Sequence, residues 1–512
     1  MSTNYLIDRD TGVHVGVVRD GAIRALCGTP LSSAVRPSNT IPAGKHLCLE
    51  CREAGRDPAG VPTKPRQPHL SAGAQLYPWQ QAALEAWREH GNRGVIEAVT
   101  GSGKTRIAVV AIDEHVRAGG SAAVIVPTIE LQRQWWKQLR KYVPYAQFGL
   151  LGDGGHASLQ THEVVIATAQ SAARRELQPA GAPSRSLLVA DECHRYGAAQ
   201  WANVLGNRFG NRLGLTATYE REDSGVEEAL DPYFGGVCYR LDYQGALRDG
   251  AICRFKIAFA GVMFDSGERT AFAEHDERAS HFKSVLHNQY GLPREPFGDF
   301  ILAANRLAND GDAYAAGAAR SYLFHFARRR ELLAGASGKM TRIREIAAAF
   351  RRAERSIIFS QTRAAAAAAI RQLRDAGLNG AVLDSTMASW ERQQILSDFE
   401  GDRFEVVAAP KLLDEGIDVP AADLAAILAT SRSRRQMVQR MGRVLRRKED
   451  GRIARIVVFF VEDTIEDPSR GSHEDFFDLI LPAAEEVRRF SSSPEEIAKL
   501  IEFLSEYGGT AA

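Results

Sequence analysis

Short apolar runs alternate with helical patterns in two separate stretches of the chain. The first stretch has runs at 94–98, 122–126, 164–168, 187–190 and 212–215. The second has them at 356–359, 381–383, 406–409, 424–428 and 456–461. Short, mostly apolar runs such as 122–126 and 187–190 suit strands covered on both faces, and strands separated by helices imply a parallel sheet. The pattern predicts an α/β protein with two parallel-sheet domains, at 75–261 and 336–472. Residues 262–335 lose the alternation and carry charged and aromatic helical stretches, which predicts a helical insert. The tail, 473–512, reads as helical: Ser493-Pro494-Glu495-Glu496 supplies an N-cap, a first-turn proline and acids at the positive end of the dipole. Residues 58–74 are rich in Pro, Gly and Ser and read as a linker behind a small module at 1–57.

Composition narrows this little. The chain has 512 residues, 45% hydrophobic and 25% charged, as an ordinary globular protein does. Its net charge of +1 announces no polyanion partner, so any nucleic-acid surface must be a local patch. No apolar run is long enough to span a bilayer, and the N-terminus lacks a signal-peptide pattern, so a cytoplasmic protein without membrane contact is expected. Six cysteines in so long a chain do not make a disulfide framework.

The first series of runs carries chemistry. Ala98-Val99-Thr100-Gly101-Ser102-Gly103-Lys104-Thr105 follows one run and opens a helical pattern, the context a phosphate-binding loop requires. Gly101 and Gly103 let the backbone approach a polyphosphate, and the amides around Ser102 point at its oxygens. Lys104 can reach the terminal phosphates and the Thr105 hydroxyl can ligate Mg²⁺. Farther on, Leu187-Leu188-Val189-Ala190-Asp191-Glu192-Cys193-His194 reads as a buried strand ending in two acids. Asp191 is placed to hold Mg²⁺ through water, and Glu192 to orient or deprotonate an attacking water. A pair of solvated acids after a strand is the alternative.

Only the first domain has a phosphate loop. In the second, Arg443 and Arg446 are three apart and would share a helix face, able to clamp charge on a phosphoryl group. Arg432, Arg434, Arg435, Arg447 and Lys448 crowd the same stretch, so a basic solvated helix explains it as well.

The ordered set of motifs resembles the superfamily 2 helicases, and within them the XPB-like branch of DNA helicases and translocases. The resemblance runs from Leu76-Tyr77-Pro78-Trp79-Gln80-Gln81 through the loop at 98–105, Val126-Pro127-Thr128, Ala167-Thr168-Ala169-Gln170-Ser171, the DExH box Asp191-Glu192-Cys193-His194 and Gly214-Leu215-Thr216-Ala217-Thr218. It continues through Arg221-Glu222-Asp223, Phe359-Ser360-Gln361-Thr362, Leu413-Asp414-Glu415-Gly416-Ile417-Asp418-Val419-Pro420 and 439–446. It implies two RecA-like domains with a thumb-like insert, hydrolysing ATP with Mg²⁺ to move on DNA, single-stranded, duplex or forked, with 3′–5′ polarity, in a role such as DNA repair. RNA fits less well, because of the DExH form and Arg221-Glu222-Asp223. An accessory protein could be a further partner, and a nucleotide-switched DNA-binding scaffold is the reading from another class.

Site roles follow from the resemblance. Gln80 would read adenine, while Gly416 and Asp418 would meet the nucleotide, Asp418 on its ribose side. His194, Thr216, Thr218 and Gln439 would couple hydrolysis to nucleic-acid grip, with Gln439 joining the two arginines at the catalytic centre. Pro127, Thr128, Thr168, Gln170, Arg221, Thr362 and Ser385 would line a track for one strand's phosphates, a sequence-independent and salt-sensitive grip. Pro410 stands where that pattern has a hydroxyl, and proline has neither a hydroxyl nor an amide hydrogen to give a phosphate.

In the insert, Phe264, Phe272, Phe282, Tyr290, Tyr322 and Phe324 either stack on bases or form a small core, and Arg320 and the run Arg328-Arg329-Arg330 could meet phosphate. At the N-terminus, His14, Cys27, Cys48 and Cys51 could hold one structural Zn²⁺ in a zinc-finger-like module. Cys48 and Cys51 have the zinc-knuckle spacing, and His46 competes with His14 for the fourth place. A module this small has little core, so a metal would supply folding energy.

Overall fold

The computed structural model describes strands at residues 5–8, 12–19, 22–25 and 36–38, and most of 76–506. Within the latter, residues 176, 180–181, 206–208, 222, 296, 385, 411–419, 429–440, 449 and 471–474 fall outside the description. The chain divides into two compact units. One is Met1–Ala98 with Gly103–Leu241, the other Asp242–Ala512 with the short stretch Val99–Ser102.

The N-terminal strands β1 (Tyr5–Asp8), β2 (Gly12–Arg19), β3 (Ala22–Ala25) and β4 (Arg36–Ser38) form an antiparallel sheet in the order β3-β2-β1-β4. His14 sits on β2 opposite Leu6. Cys27, Cys48 and Cys51 lie outside the described residues.

The first large sheet contains β5 (Arg93–Ala98), β6 (Ser121–Val126), β7 (Phe148–Gly152), β8 (Gly155–His156), β9 (Val164–Thr168), β10 (Ser186–Asp191), β11 (Asn211–Thr216) and β12 (Val237–Leu241). Their order is β12-β5-β11-β10-β6-β9-β7-β8, and only the β7–β8 hairpin is antiparallel. Every residue of β6 and β9 is buried, as continuous apolar runs require when helices cover both faces. Among those helices are α1 (Pro78–Glu89), α2 (Lys104–Arg117), α3 (Ile129–Tyr142) and α4 (Ala169–Arg174). Helix α3 turns Gln132, Trp135, Trp136 and Leu139 inward, residues spaced three, one and three apart on one helical face.

The second sheet is wholly parallel, in the order β15-β16-β14-β17-β18-β13-β19. Its strands are β13 (Phe255–Val262), β14 (Ser356–Ser360), β15 (Gly380–Val382), β16 (Val406–Pro410), β17 (Leu424–Ile427), β18 (Ala454–Val461) and β19 (Glu486–Phe490). Two sequence expectations change here. Residues 255–261, expected to belong to the first domain, instead form β13, which pairs along its whole length with β18. The tail, expected to be helical throughout, contributes β19 as an edge strand beside β13 before ending in the helix Pro494–Ser505. Alternation alone says that a run is a strand, not which sheet it joins. Fully buried Arg455 on β18 ties this sheet together, bonding to the Asp423 carboxylate and donating to the Leu504 carbonyl at 2.7 Å.

Between β13 and β14 lie the three long helices expected of the insert: α5 (Ser266–Tyr290), α6 (Phe297–Asp310) and α7 (Ala313–Gly335). Asp265 caps α5 in a capping box with Glu268, and Asp312 caps α7. The aromatic positions are mostly core. Tyr322 packs edge-on to Phe300 with Phe326 and Leu286, while Phe282 and Tyr290 pack against that cluster and Phe264 with Phe272 join the second sheet's core. Of the six, Phe324 alone is largely exposed. The arginine run is engaged locally: Arg328 pairs with Glu331, Arg329 with Asp276, and Arg330 lies over the Phe326 ring. Arg320 donates to the Ala308 carbonyl at 3.0 Å.

Candidate ATP site and its coupling network

In a parallel sheet all strand ends of one kind share an edge, so β5, β10 and β11 deliver their loops to the same crevice. After β5 the backbone turns left-handed at Gly101 (φ 82°) and Gly103 (φ 93°), a conformation that strains residues with a Cβ. A Cβ on Gly103 would also meet the Gln80 amide nitrogen at 2.8 Å. The Ser102 hydroxyl donates to the Val99 carbonyl at 2.7 Å, closing the loop, and α2 begins at Lys104. Lys104 folds back to donate to the Ala98 carbonyl at 2.6 Å. Burial holds its ammonium below the usual lysine range, opposed by the nearby Glu192 and Asp191 carboxylates. Thr105 is half-buried in the first turn of α2.

Asp191 ends β10. Its Oδ2 accepts the Trp135 indole N–H at 2.8 Å, and its Oδ1 accepts the Glu192 amide at 3.1 Å. Burial pushes its carboxyl up, against the Trp135 hydrogen bond and the Lys104 charge. Glu192 sits in the left-handed region at φ 50°, a strained setting for a residue with a side chain and one that recurs at functional sites. Neither Trp135 nor Tyr196, which donates to the Asp191 carbonyl at 2.9 Å, was legible as a site residue, because each reads in sequence as an ordinary core aromatic.

His194 and Thr216 meet: Nδ1 lies 2.9 Å from the Thr216 hydroxyl, and also 3.5 Å from Glu192 Oε2. The Thr216 hydroxyl donates to the Thr218 carbonyl at 2.8 Å and accepts the Thr218 amide at 3.2 Å. Thr218 Oγ1 is buried without a hydrogen-bond partner among the described residues. Arg221 donates to the His194 carbonyl at 2.7 Å and forks onto Asp223. Its side chain, 13% exposed, buttresses the Asp191–His194 turn from within its own unit.

Gln80 is 1% exposed. Its Oε1 accepts the Tyr77 amide at 2.9 Å and its Nε2 donates to the Gly103 carbonyl at 3.1 Å, so the segment before α1 is tied to the glycine loop. Thr128, Thr168 and Thr362 share a task not apparent from sequence: each caps a helix that follows a strand. Their hydroxyls accept from the amides of Leu131, Ser171 and Ala365. Capping leaves other first-turn amides available to an anion. Pro127 is half-buried before the α3 cap, and Gln170 is exposed on α4.

Residues 441–444 are helical, but Arg446 has left the helix and forms an antiparallel bridge with Ile252. Arg443 and Arg446 thus do not share a helix face as expected, because the strand-like pairing of Arg446 ends the helix first. Pro410 ends β16 opposite Ser360. Ser385, Gly416, Asp418 and Gln439 lie outside the described residues.

The donor set fits a nucleoside triphosphate with Mg²⁺: a left-handed glycine cradle, a helix N-terminus, an ammonium and a carboxylate at one sheet edge. Known proteins agree with this chemistry. Residues 73–221 match the family model described as "Type III restriction enzyme, res subunit", and residues 338–448 match "Helicase conserved C-terminal domain". Among curated relatives, the "DNA 3'-5' translocase XPB2" of Sulfurisphaera tokodaii is 29% identical over 384 residues, covering 75% of this chain and 81% of that one. The "DNA 3'-5' helicase XPB" of Mycobacterium tuberculosis is 23% identical over 461 residues, covering 87% and 72%. Among solved structures, S. cerevisiae Dbp5 bound to RNA and ADP BeF3 aligns with TM-score 0.53 at 14% identity, covering 84% of this chain and 94% of that one, which shows a shared fold. The chain belongs to the superfamily 2 helicases, in their XPB-like branch.

Proposed function

We propose that the protein is an ATP-dependent DNA helicase or duplex translocase moving 3′ to 5′. The observation that carries this is the gathering of the phosphate loop, Asp191-Glu192 and the Thr216–Thr218 turn at one sheet edge, with Lys104 beside the two acids and His194 bridging Glu192 to Thr216. When bound, Mg²⁺ neutralises charge developing on the phosphates. Gly101 through Thr105 would hold the phosphates, with Asp191 oriented by Trp135 to take the metal side. Glu192 would orient and deprotonate the attacking water. Gln80, Gly416 and Asp418 would hold the nucleoside, Gln80 exchanging its present hydrogen bonds for adenine. Gln439, Arg443 and Arg446 would supply positive charge to the transferring group. The amides beside Thr128, Thr168 and Thr362, together with Ser385, would grip one strand's phosphates. Single-stranded, duplex or forked DNA is the substrate read here, in genome maintenance such as repair. Among the described residues no helix is long and apolar enough to cross a membrane.

Steady-state ATPase tests the reading. Wild-type turnover should rise at least about tenfold with single-stranded or forked DNA, more than with RNA, and Lys104→Ala should abolish it. Stimulation by RNA alone would replace the DNA reading. Activity indifferent to every nucleic acid would leave a nucleotide-switched scaffold.

The N-terminal module is a second proposal: one Zn²⁺ held by His14, Cys27, Cys48 and Cys51, supported by the knuckle spacing of its last two cysteines. Elemental analysis of the purified chain should find about one zinc per molecule, lost in Cys48→Ser/Cys51→Ser. Zinc-free wild-type protein with unchanged folding would reject it.

A further inference from the structure

Glu97, the penultimate residue of β5, has no part in the roles assigned above. It stands directly opposite Thr216 in the β5–β11 pairing. Its Oε1 accepts the backbone amide of Tyr219 at 2.9 Å, and its Oε2 pairs with Arg240 Nε on β12 at 2.9 Å. Tyr219 is the first residue after the Thr216-Ala217-Thr218 turn, and its own hydroxyl is held by Asp231 at 3.0 Å. One carboxylate therefore links the strand that feeds the phosphate loop to the exit of the turn that meets His194. The Thr216 end of that turn reports to the DExH box, and the Tyr219 end reports to β5.

We propose that Glu97 is a positioning residue that transmits nucleic-acid occupancy between the Thr216–Thr218 turn and the phosphate loop, setting how strongly DNA stimulates hydrolysis. This rests on the helicase reading. A backbone amide half-shielded from water needs an acceptor, and a carboxylate is a strong one. If the turn shifts when a strand binds, Glu97 must follow or release the amide, and Lys104, seven residues along the same segment, feels the displacement. Glutamine keeps an oxygen for the Tyr219 amide but loses the ion pair, whereas alanine loses both. Arg240 is 74% exposed, so Arg240→Gln removes the ion pair alone at little structural cost.

The experiment measures the ratio of DNA-stimulated to unstimulated kcat in the full chain, together with KM for ATP. This ratio does not depend on the fraction of protein folded, so a merely structural defect leaves it alone. Glu97→Ala should lower the ratio by about five- to thirty-fold, within the range of couplings between sites. Glu97→Gln and Arg240→Gln should each stay within about twofold of wild type, since the Tyr219 amide keeps its acceptor in both. A ratio preserved in Glu97→Ala, while wild type is stimulated, overturns the inference and leaves the helicase reading standing. An equal loss in Arg240→Gln also overturns it, because the anchoring of β12 would then carry the effect. A wild type that no nucleic acid stimulates overturns the functional reading, and this inference with it.

Discussion

Arg446→Ala should lower DNA-stimulated ATP turnover by about 10³- to 10⁵-fold, the range an arginine finger contributes to phosphoryl transfer. Nucleotide affinity should change by less than about tenfold, because such a group acts mainly on charge that develops in the transition state. The structure makes Arg446 a better candidate than Arg447 or Lys448. Its backbone is bridged to Ile252, and the adjacent Cys253 amide donates to the Leu445 carbonyl at 2.9 Å. Lys448 is occupied beside it, donating to the Val444 carbonyl at 3.0 Å. Arg446 is half-buried on this fixed backbone, whereas Arg447 is exposed. Arg447→Ala should therefore stay within about twofold of wild type, as a solvated charge does. Arg446→Lys should recover only part of the loss, since an ammonium lacks the planar fork. Turnover of Arg446→Ala within about tenfold of wild type, measured with saturating ATP and DNA, would remove the finger assignment.

Glu192→Gln should cut turnover by about 10²- to 10⁴-fold, the scale of a lost general base, while ATP and DNA binding persist. The amide is nearly isosteric with the carboxylate but cannot take a proton from water. Backbone strain makes the case specific. Glu192 holds a left-handed conformation between the Asp191 carboxylate, bonded to its amide, and the short helical turn Cys193–Gly197. Its Oε2 lies 3.5 Å from His194 Nδ1. Equilibrium binding of a fluorescent ATP analogue should match wild type within a few-fold. Full turnover in the variant would show that another group activates the water.

The motifs were readable because each depends on local chain. A glycine cradle must precede a helix N-terminus, and two acids must end a buried strand; neighbours in sequence meet both demands. The threonines at 128, 168 and 362 were legible as positions but not as helix caps, since capping is settled by the path of the following turn. In the insert, the aromatics could not be divided by sequence into core and surface. Helices α5, α6 and α7 pack around Phe300 and Tyr322, and that packing leaves Phe324 outside.

The sequence by itself determined two parallel-sheet domains, the phosphate loop, the acidic strand end and the family that their order marks. These follow from periodicity and from motifs complete within about ten residues. Tertiary structure decided which sheet each strand joins, adding β13 and β19 to the second. It also decided which side chains support the site: Trp135 on Asp191, Arg221 on the DExH turn, and Glu97 on the Tyr219 amide. Those partners lie 56, 27 and 122 residues apart in the chain. No local pattern encodes a hydrogen bond across such separations, because it exists only once the strands have paired and the helices have packed over them.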